Sequence, residues 1–259
     1  MNLLAHTTLG ATHAPRSIWF LHGILGRGRN WRSMASRVID EQPDWKAVLP
    51  DLPNHGNSGA GAGPHTLKGV SERLDALAAT VGRPDIVVGH SFGGKVALVW
   101  GAGRRLWVLD APPGPRDMED GEAIGVLRIL AEAKTPATDR STLREHLIAG
   151  GLSEALASWL LTSTRRSASG WSWLWDLDVA HAHLAAYGEA DLWPRVLQRG
   201  GEVQLVRAGD SDRWHERDLR AASAAEAMGV GLHLVPGAGH WVHVDAPDTI
   251  SDLLRAELI

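Results

Sequence analysis

The chain predicts an α/β fold, a mostly parallel sheet with helices on both faces and an inserted helical cap. Three observations lead there. Residues 18–22, 46–50, 85–90 and 105–110 are short, continuous apolar runs, the pattern of strands covered on both faces. Helix-period stretches near 30–42, 66–81 and 92–102 separate them, and such alternation requires parallel strands joined by crossover helices. After Asp110 the alternation stops for about ninety residues and only helical periodicity is visible, until strand-like runs resume at 203–208. The expected division is therefore a core of residues 1–111 and 200–259 with a cap at 112–199.

Residues 2–9 carry a weak signal for an antiparallel edge strand. The first clear strand, 18–22, opens into His22-Gly23-Ile24-Leu25-Gly26. The stretch from Gly56 to Pro64 is rich in glycine and alanine and reads as a flexible loop. Strand 85–90 runs into Gly89-His90-Ser91-Phe92-Gly93-Gly94, and the helix 92–102 follows at once. Within the cap, Leu127, Leu130 and Ala131 form one apolar stripe. Leu143, Leu147 and Ile148 form a second, and Leu156, Trp159 and Leu160 a third. The final strand, Leu232-His233-Leu234-Val235, leads into Pro236-Gly237-Ala238-Gly239-His240-Trp241-Val242-His243.

Residues 89–93 form a G-x-S-x-G pattern in strand–turn–helix context, a sharp turn that exposes the serine and leaves no room for side chains beside it. A helix starting there directs backbone N–H groups at negative charge developing near Ser91. Phe92 N–H is one expected oxyanion donor, and Ile24 N–H, from the H-G-x-x-G turn, is the other. His240 follows a glycine-rich loop at a strand end, where an imidazole can serve as general base. That base needs a carboxylate on its other nitrogen. Two positions offer one: Asp110, at the end of its strand, and Asp212, in Gly209-Asp210-Ser211-Asp212-Arg213.

With these pieces the chain resembles the alpha/beta-hydrolase superfamily over its whole core. Gly89-His90-Ser91-Phe92-Gly93-Gly94-Lys95, Val108-Leu109-Asp110-Ala111-Pro112 and Gly239-His240-Trp241-Val242-His243 resemble small bacterial acyl esterases, as does Asp51-Leu52-Pro53-Asn54-His55-Gly56-Asn57-Ser58. The resemblance implies a Ser-His-Asp triad and a cap inserted over the C-terminal ends of the strands. Most of the superfamily places the acid at the position of Asp212. The small esterases often keep only the one equivalent to Asp110, so Asp110 is preferred and Asp212 is the alternative.

Composition narrows the function classes. The chain has 259 residues, 44% of them hydrophobic, enough for one large core. Its 26 basic and 30 acidic residues leave a charge of −4 with no basic block, so neither nucleic acid nor membrane is expected as a partner. There is no cysteine, which excludes disulfides, thiol nucleophiles and thiolate metal sites and fits a cytoplasmic location. No signal peptide is read at the N-terminus. No dinucleotide fingerprint is present, and Gly93-Gly94-Lys95 lacks phosphate-loop spacing, so no cofactor is expected. His181 and His183 would sit on different helix faces, which argues against a metal site.

Twelve tryptophans accompany one tyrosine and two phenylalanines. Trp171, Trp173 and Trp175 alternate with other residues and would share one face of an extended segment, able to line a substrate tunnel. Packing a small subdomain onto its core is the more ordinary use of such residues. Together with Trp241, beside His240, they are the expected substrate contacts. The expected activity is hydrolysis of carboxylic esters, extending to thioesters, of small to medium hydrophobic acyl groups. Carbon–carbon bond hydrolysis or cofactor-free perhydrolysis on the same triad is the alternative, and a non-catalytic small-molecule receptor a third reading.

Overall fold

The computed structural model describes residues 3–118 and 121–258; Asn2 of the expected edge strand lies outside them. The core strands are β1 (His6–Gly10), β2 (Arg16–Leu21), β3 (Trp45–Pro50), β4 (Ile86–His90) and β5 (Arg105–Leu109). A hairpin follows, β6 (Thr164–Ser167) and β7 (Gly170–Trp173), and then β8 (Val203–Ala208) and β9 (Gly231–Val235) return to the core. Among the described residues the main sheet has seven strands in the order β1-β3-β2-β4-β5-β8-β9. β1 runs antiparallel to β3 and the other pairings are parallel.

Strand pleating sends alternate residues to two apolar cores. Trp19 and Leu21 of β2, Val87 of β4 and Val108 of β5 join one. Helices α2 (Leu67–Val81), α3 (Phe92–Trp100), α8 (Trp193–Arg199) and α9 (Glu216–Glu226) cover that face. Ile18 and Phe20, Ile86 and Val88, and Trp107 and Leu109 join the other. There they meet α1 (Arg32–Ile39), α10 (Val242–Asp245) and α11 (Pro247–Arg255). Two covered faces explain why these strands read as continuous apolar runs.

Between β5 and α8 lie α4 (Glu122–Glu132), α5 (Arg140–Ala149), α6 (Glu154–Leu161), the β6–β7 hairpin and α7 (Leu177–Glu189). Side-chain oxygens start three of these helices: Asp139 caps α5, Ser153 caps α6 and Asp176 caps α7. The insertion has its own core, containing Leu127, Leu130, Leu143, Leu147 and Leu160. The hairpin departs from an all-helical insertion. Its outer strand, Thr164-Arg165-Arg166-Ser167, is too short and polar to show a two-residue period, so the sequence carries no strand signal there.

Two buried contacts fasten the insertion to the core. The Asn54 side chain donates to the Asp176 carbonyl at 2.8 Å and accepts the Asp176 N–H at 2.9 Å. Lys95, fully buried, donates through Nζ to the carbonyls of Gly114, Tyr187 and Ala190 at 2.7, 2.8 and 3.0 Å and sits over the Tyr187 ring. Desolvation lowers its pKa to about 7. Among the described residues no helix is long and apolar enough to cross a membrane.

Candidate active site

The sheet reverses its direction of winding between β2 and β4, which are parallel neighbours with Leu21 paired to Gly89. Ligand crevices of open α/β sheets form at such a point, beyond the carboxyl ends of the strands. Ser91 and the His22–Gly26 turn therefore leave the sheet side by side.

Ser91 lies at the tip of the β4–α3 turn with φ 52° and ψ −118°. Its N–H is held by the Leu109 carbonyl at 3.0 Å. The glycines on either side are required by space. A Cβ on Gly89 would lie 2.2 Å from the Gly93 carbonyl oxygen, and one on Gly93 would lie 2.4 Å from that of Leu21. Phe92 is the first residue of α3, so its N–H has no partner within the helix. Among the described residues four other non-glycine residues have positive φ: Leu25 at 61°, Asn54 at 68° and Asp110 at 45° follow the carboxyl ends of β2, β3 and β5, and Glu41 at 58° precedes β3. Each such residue costs about 1–3 kcal/mol, and backbone strain of this kind concentrates at functional sites.

Two buried imidazoles build the turn that carries Ile24. His22 donates from Nδ1 to the Gly23 carbonyl at 2.8 Å and accepts the Leu52 N–H at Nε2 at 3.0 Å. His55 donates from Nδ1 to the Pro53 carbonyl at 2.8 Å and accepts the Leu25 N–H at 3.0 Å. Both acceptor nitrogens must be unprotonated. Burial enforces this, lowering the pKa of His22 to about 4 and that of His55 to about 3. The structural part played by His55 carries no distinct sequence signal, because its partner, Leu25, is 30 residues away.

Asp110 is completely buried one residue beyond β5. Its Oδ2 accepts from His240 Nδ1 at 2.8 Å and from Ser211 Oγ at 2.6 Å. Its Oδ1 accepts the Trp214 indole N–H at 3.0 Å and the Ala208 N–H at 3.2 Å. Four donors thus hold the Asp110 carboxyl group against the imidazole. Asp212 lies elsewhere: its side chain is 96% exposed and its nearest cation is Arg213, at 3.6 Å. Asp210 uses its backbone N–H to reach the Ala238 carbonyl. The His240 carbonyl accepts from His90 Nε2 at 2.8 Å, while His243 stacks on Trp31 with ring centroids 4.2 Å apart. Those two rings brace the His240 loop.

Ser91, His240, Phe92 and Ile24 line one cavity enclosing about 720 Å³, its open mouth included. Its apolar wall includes Leu25, Val126, Leu156, Trp159, Leu160 and Leu184, most of them from the insertion. Trp241 also lines it and meets Trp159 edge-on at 4.8 Å. Trp171, Trp173 and Trp175 are not among its lining residues. Trp173 and Trp175 stack at 5.8 Å within the insertion core. Trp171 exchanges backbone hydrogen bonds with Ala137 and carries the Arg140 guanidinium on its face. The tryptophan of the insertion that does reach the cavity, Trp159, was marked only by the helical stripe of residues 156–160. Arg213, Glu122 and Tyr187 also line the cavity, and they come from separate segments with no motif between them. Among the described residues no three His, Asp or Glu side chains are arranged to hold a metal ion.

A model of the alpha/beta hydrolase family matches residues 20–253. The chain belongs to this family. It is 27% identical to the sn-1-specific diacylglycerol lipase ABHD11 of Mus musculus, covering 98% of this chain and 85% of that one. It is 24% identical to esterase YbfF of Escherichia coli (strain K12), covering 100% and 98%. Among solved structures, an esterase from a marine microorganism superposes with a TM-score of 0.82 at 22% identity, covering 99% of both chains. That last likeness speaks for the alpha/beta hydrolase architecture alone.

Proposed function

We propose that the chain is a serine hydrolase of carboxylic esters, extending to thioesters, of small to medium hydrophobic acyl groups. One observation carries this reading. Ser91, at a strained turn, shares a mostly apolar cavity with His240, whose Nδ1 is committed to a buried carboxylate. With Nδ1–H given to Asp110, Nε2 of His240 remains to take the Ser91 proton. Ser91 Oγ then attacks the acyl carbon, and the carbonyl oxygen takes up negative charge at the N–H groups of Ile24 and Phe92. Collapse expels the alcohol or thiol, which receives the proton from His240. Water, deprotonated by the same imidazole, releases the acid and restores Ser91.

The insertion acts here as a cap that forms the acyl pocket, with Trp159 and Trp241 among its lining. The test is labelling by a fluorophosphonate probe together with hydrolysis of a series of p-nitrophenyl esters. Stoichiometric labelling of Ser91 and turnover of short and medium esters are expected. A serine that does not label, in a protein that cleaves none of the esters, would overturn the reading. Identification of products from a wider substrate panel separates ester from carbon–carbon bond cleavage, because pocket shape and not the triad decides between them.

A further inference from the structure

Beyond Ser91, His90 and His240, the polar lining of the cavity is Arg213, Glu122 and Tyr187. Arg213, from the loop after β8, is bridged to Glu122 at the first position of α4. The Arg213 side chain is only 16% exposed, whereas Glu122 is 66% exposed, so the cation is set in the wall and its partner hangs from the solvent side. The bridge occupies one end of the guanidinium through Nη2. Nε is buried and, among the described residues, has no hydrogen-bond partner; the Asp212 carboxylate stands off at 3.6 Å. A guanidinium offers five N–H donors, so several remain for a ligand. Tyr187 lines the same cavity. The negative charge nearest the reacting atoms, Asp110, is already covered by four donors.

We propose that Arg213 is the specificity residue of this cavity, receiving a carboxylate that the substrate carries at the end remote from the bond being cleaved. The inference rests on the acyl-transfer reading of Ser91 and names its substrate class: monoesters of dicarboxylic acids, with an apolar chain between the two ends. A buried guanidinium with unfilled donors favours a bidentate anion over a neutral group of the same size. Glu122, which lines the same cavity, competes for this guanidinium, so a substrate carboxylate has to displace it or share the cation. An expectation of uncharged acyl groups follows from the apolar lining; Arg213 adds a charged terminus to it.

The test reads binding separately from turnover. Monophenyl esters of succinic, glutaric and adipic acid, and their phenyl methyl diesters, are titrated calorimetrically into the Ser91→Ala protein, which leaves them uncleaved. At least one monoester binds tighter than its diester by about 10- to 100-fold, the range of a charged hydrogen bond. Adding Arg213→Gln removes that preference, and Arg213→Lys retains part of it. Glu122→Gln, at an exposed position, strengthens binding of the monoester and keeps the question answerable if Arg213→Gln does not fold. No preference in the series, or binding of neither ester, overturns the proposal; so does a preference that survives Arg213→Gln, or an affinity indifferent to Glu122→Gln. Failure of the hydrolase reading looks different: the wild type would not react with a fluorophosphonate, while the carboxylate preference persisted.

Discussion

His240 donates its Nδ1 proton to Asp110 across 2.8 Å, although 130 residues separate the two in the chain. The bond selects one imidazole tautomer and leaves Nε2 as the basic nitrogen. It also ties the loop after β9 to the end of β5, across the intervening β8 of the same sheet.

Asp110→Asn is expected to cut turnover by about 10⁴-fold, the scale seen when an amide replaces the acid of a serine protease. Asp212→Asn is expected to change turnover little, because that carboxylate is solvated and does not reach His240. Steady-state kinetics of both singles and the double variant check this. A double variant no worse than Asp110→Asn is the expected result, and a large loss in Asp212→Asn alone would reverse the assignment.

Ser91→Ala should abolish ester hydrolysis and fluorophosphonate labelling while leaving the melting temperature close to wild type. Alanine removes one hydroxyl and keeps the Cβ already accommodated at φ 52°. Near-normal turnover by this variant would end the serine-hydrolase proposal.

Gly93→Ala is expected to lose activity by orders of magnitude and to melt at lower temperature. The added methyl would meet the Leu21 and His22 carbonyl oxygens at 2.4 and 2.6 Å, and relief would have to displace the turns carrying Ile24 and Phe92. Overpacking of this kind costs about 1–3 kcal/mol. Thermal denaturation and kinetics measured together show both effects.

The tryptophans should divide by location. Trp241→Ala and Trp159→Ala are expected to change KM and the preferred acyl length with modest loss of stability. Trp173→Ala should destabilise by about 3–5 kcal/mol while sparing acyl preference, because its ring is packed inside the insertion. A shift in acyl preference confined to Trp173→Ala would contradict this picture.

Stability should fall on acidification below about pH 6.5. His22 and His55 have folded pKa values of about 4 and 3, beneath the unfolded value of 6.5. Between those limits the unfolded chain binds more protons, so stability rises with pH and is lost as pH falls. For His22 alone the shift corresponds to about 3 kcal/mol. Melting temperatures from pH 7 to pH 4 measure the slope. His55→Gln, which cannot take up that proton, should fall less steeply although it starts lower.

Local pattern was enough for the fold class. Apolar runs alternating with helical stripes, together with the glycine-flanked Ser91 turn, identify a parallel sheet covered on both faces, since each feature depends only on near neighbours in the chain. The placement of Ser91, Ile24 and Phe92 around one cavity was legible for a similar reason, since they lie in or beside turns whose shape is set by a few consecutive residues. The partner of His240 is a different kind of fact. Asp110 and Asp212 both stand at strand ends in the sequence, and only the packing of β5, β8 and β9 buries one of them among four donors and turns the other to solvent. Of the cavity wall, Trp241 was legible through its place beside His240, and most of the rest was not. Trp171, Trp173 and Trp175 share a sequence period, but a period states which residues lie on one face and not what that face meets. The hairpin's seat within the insertion, the contact of Trp159 with Trp241, and the pairing of Arg213 with Glu122 are meetings of distant segments, decided by tertiary packing alone.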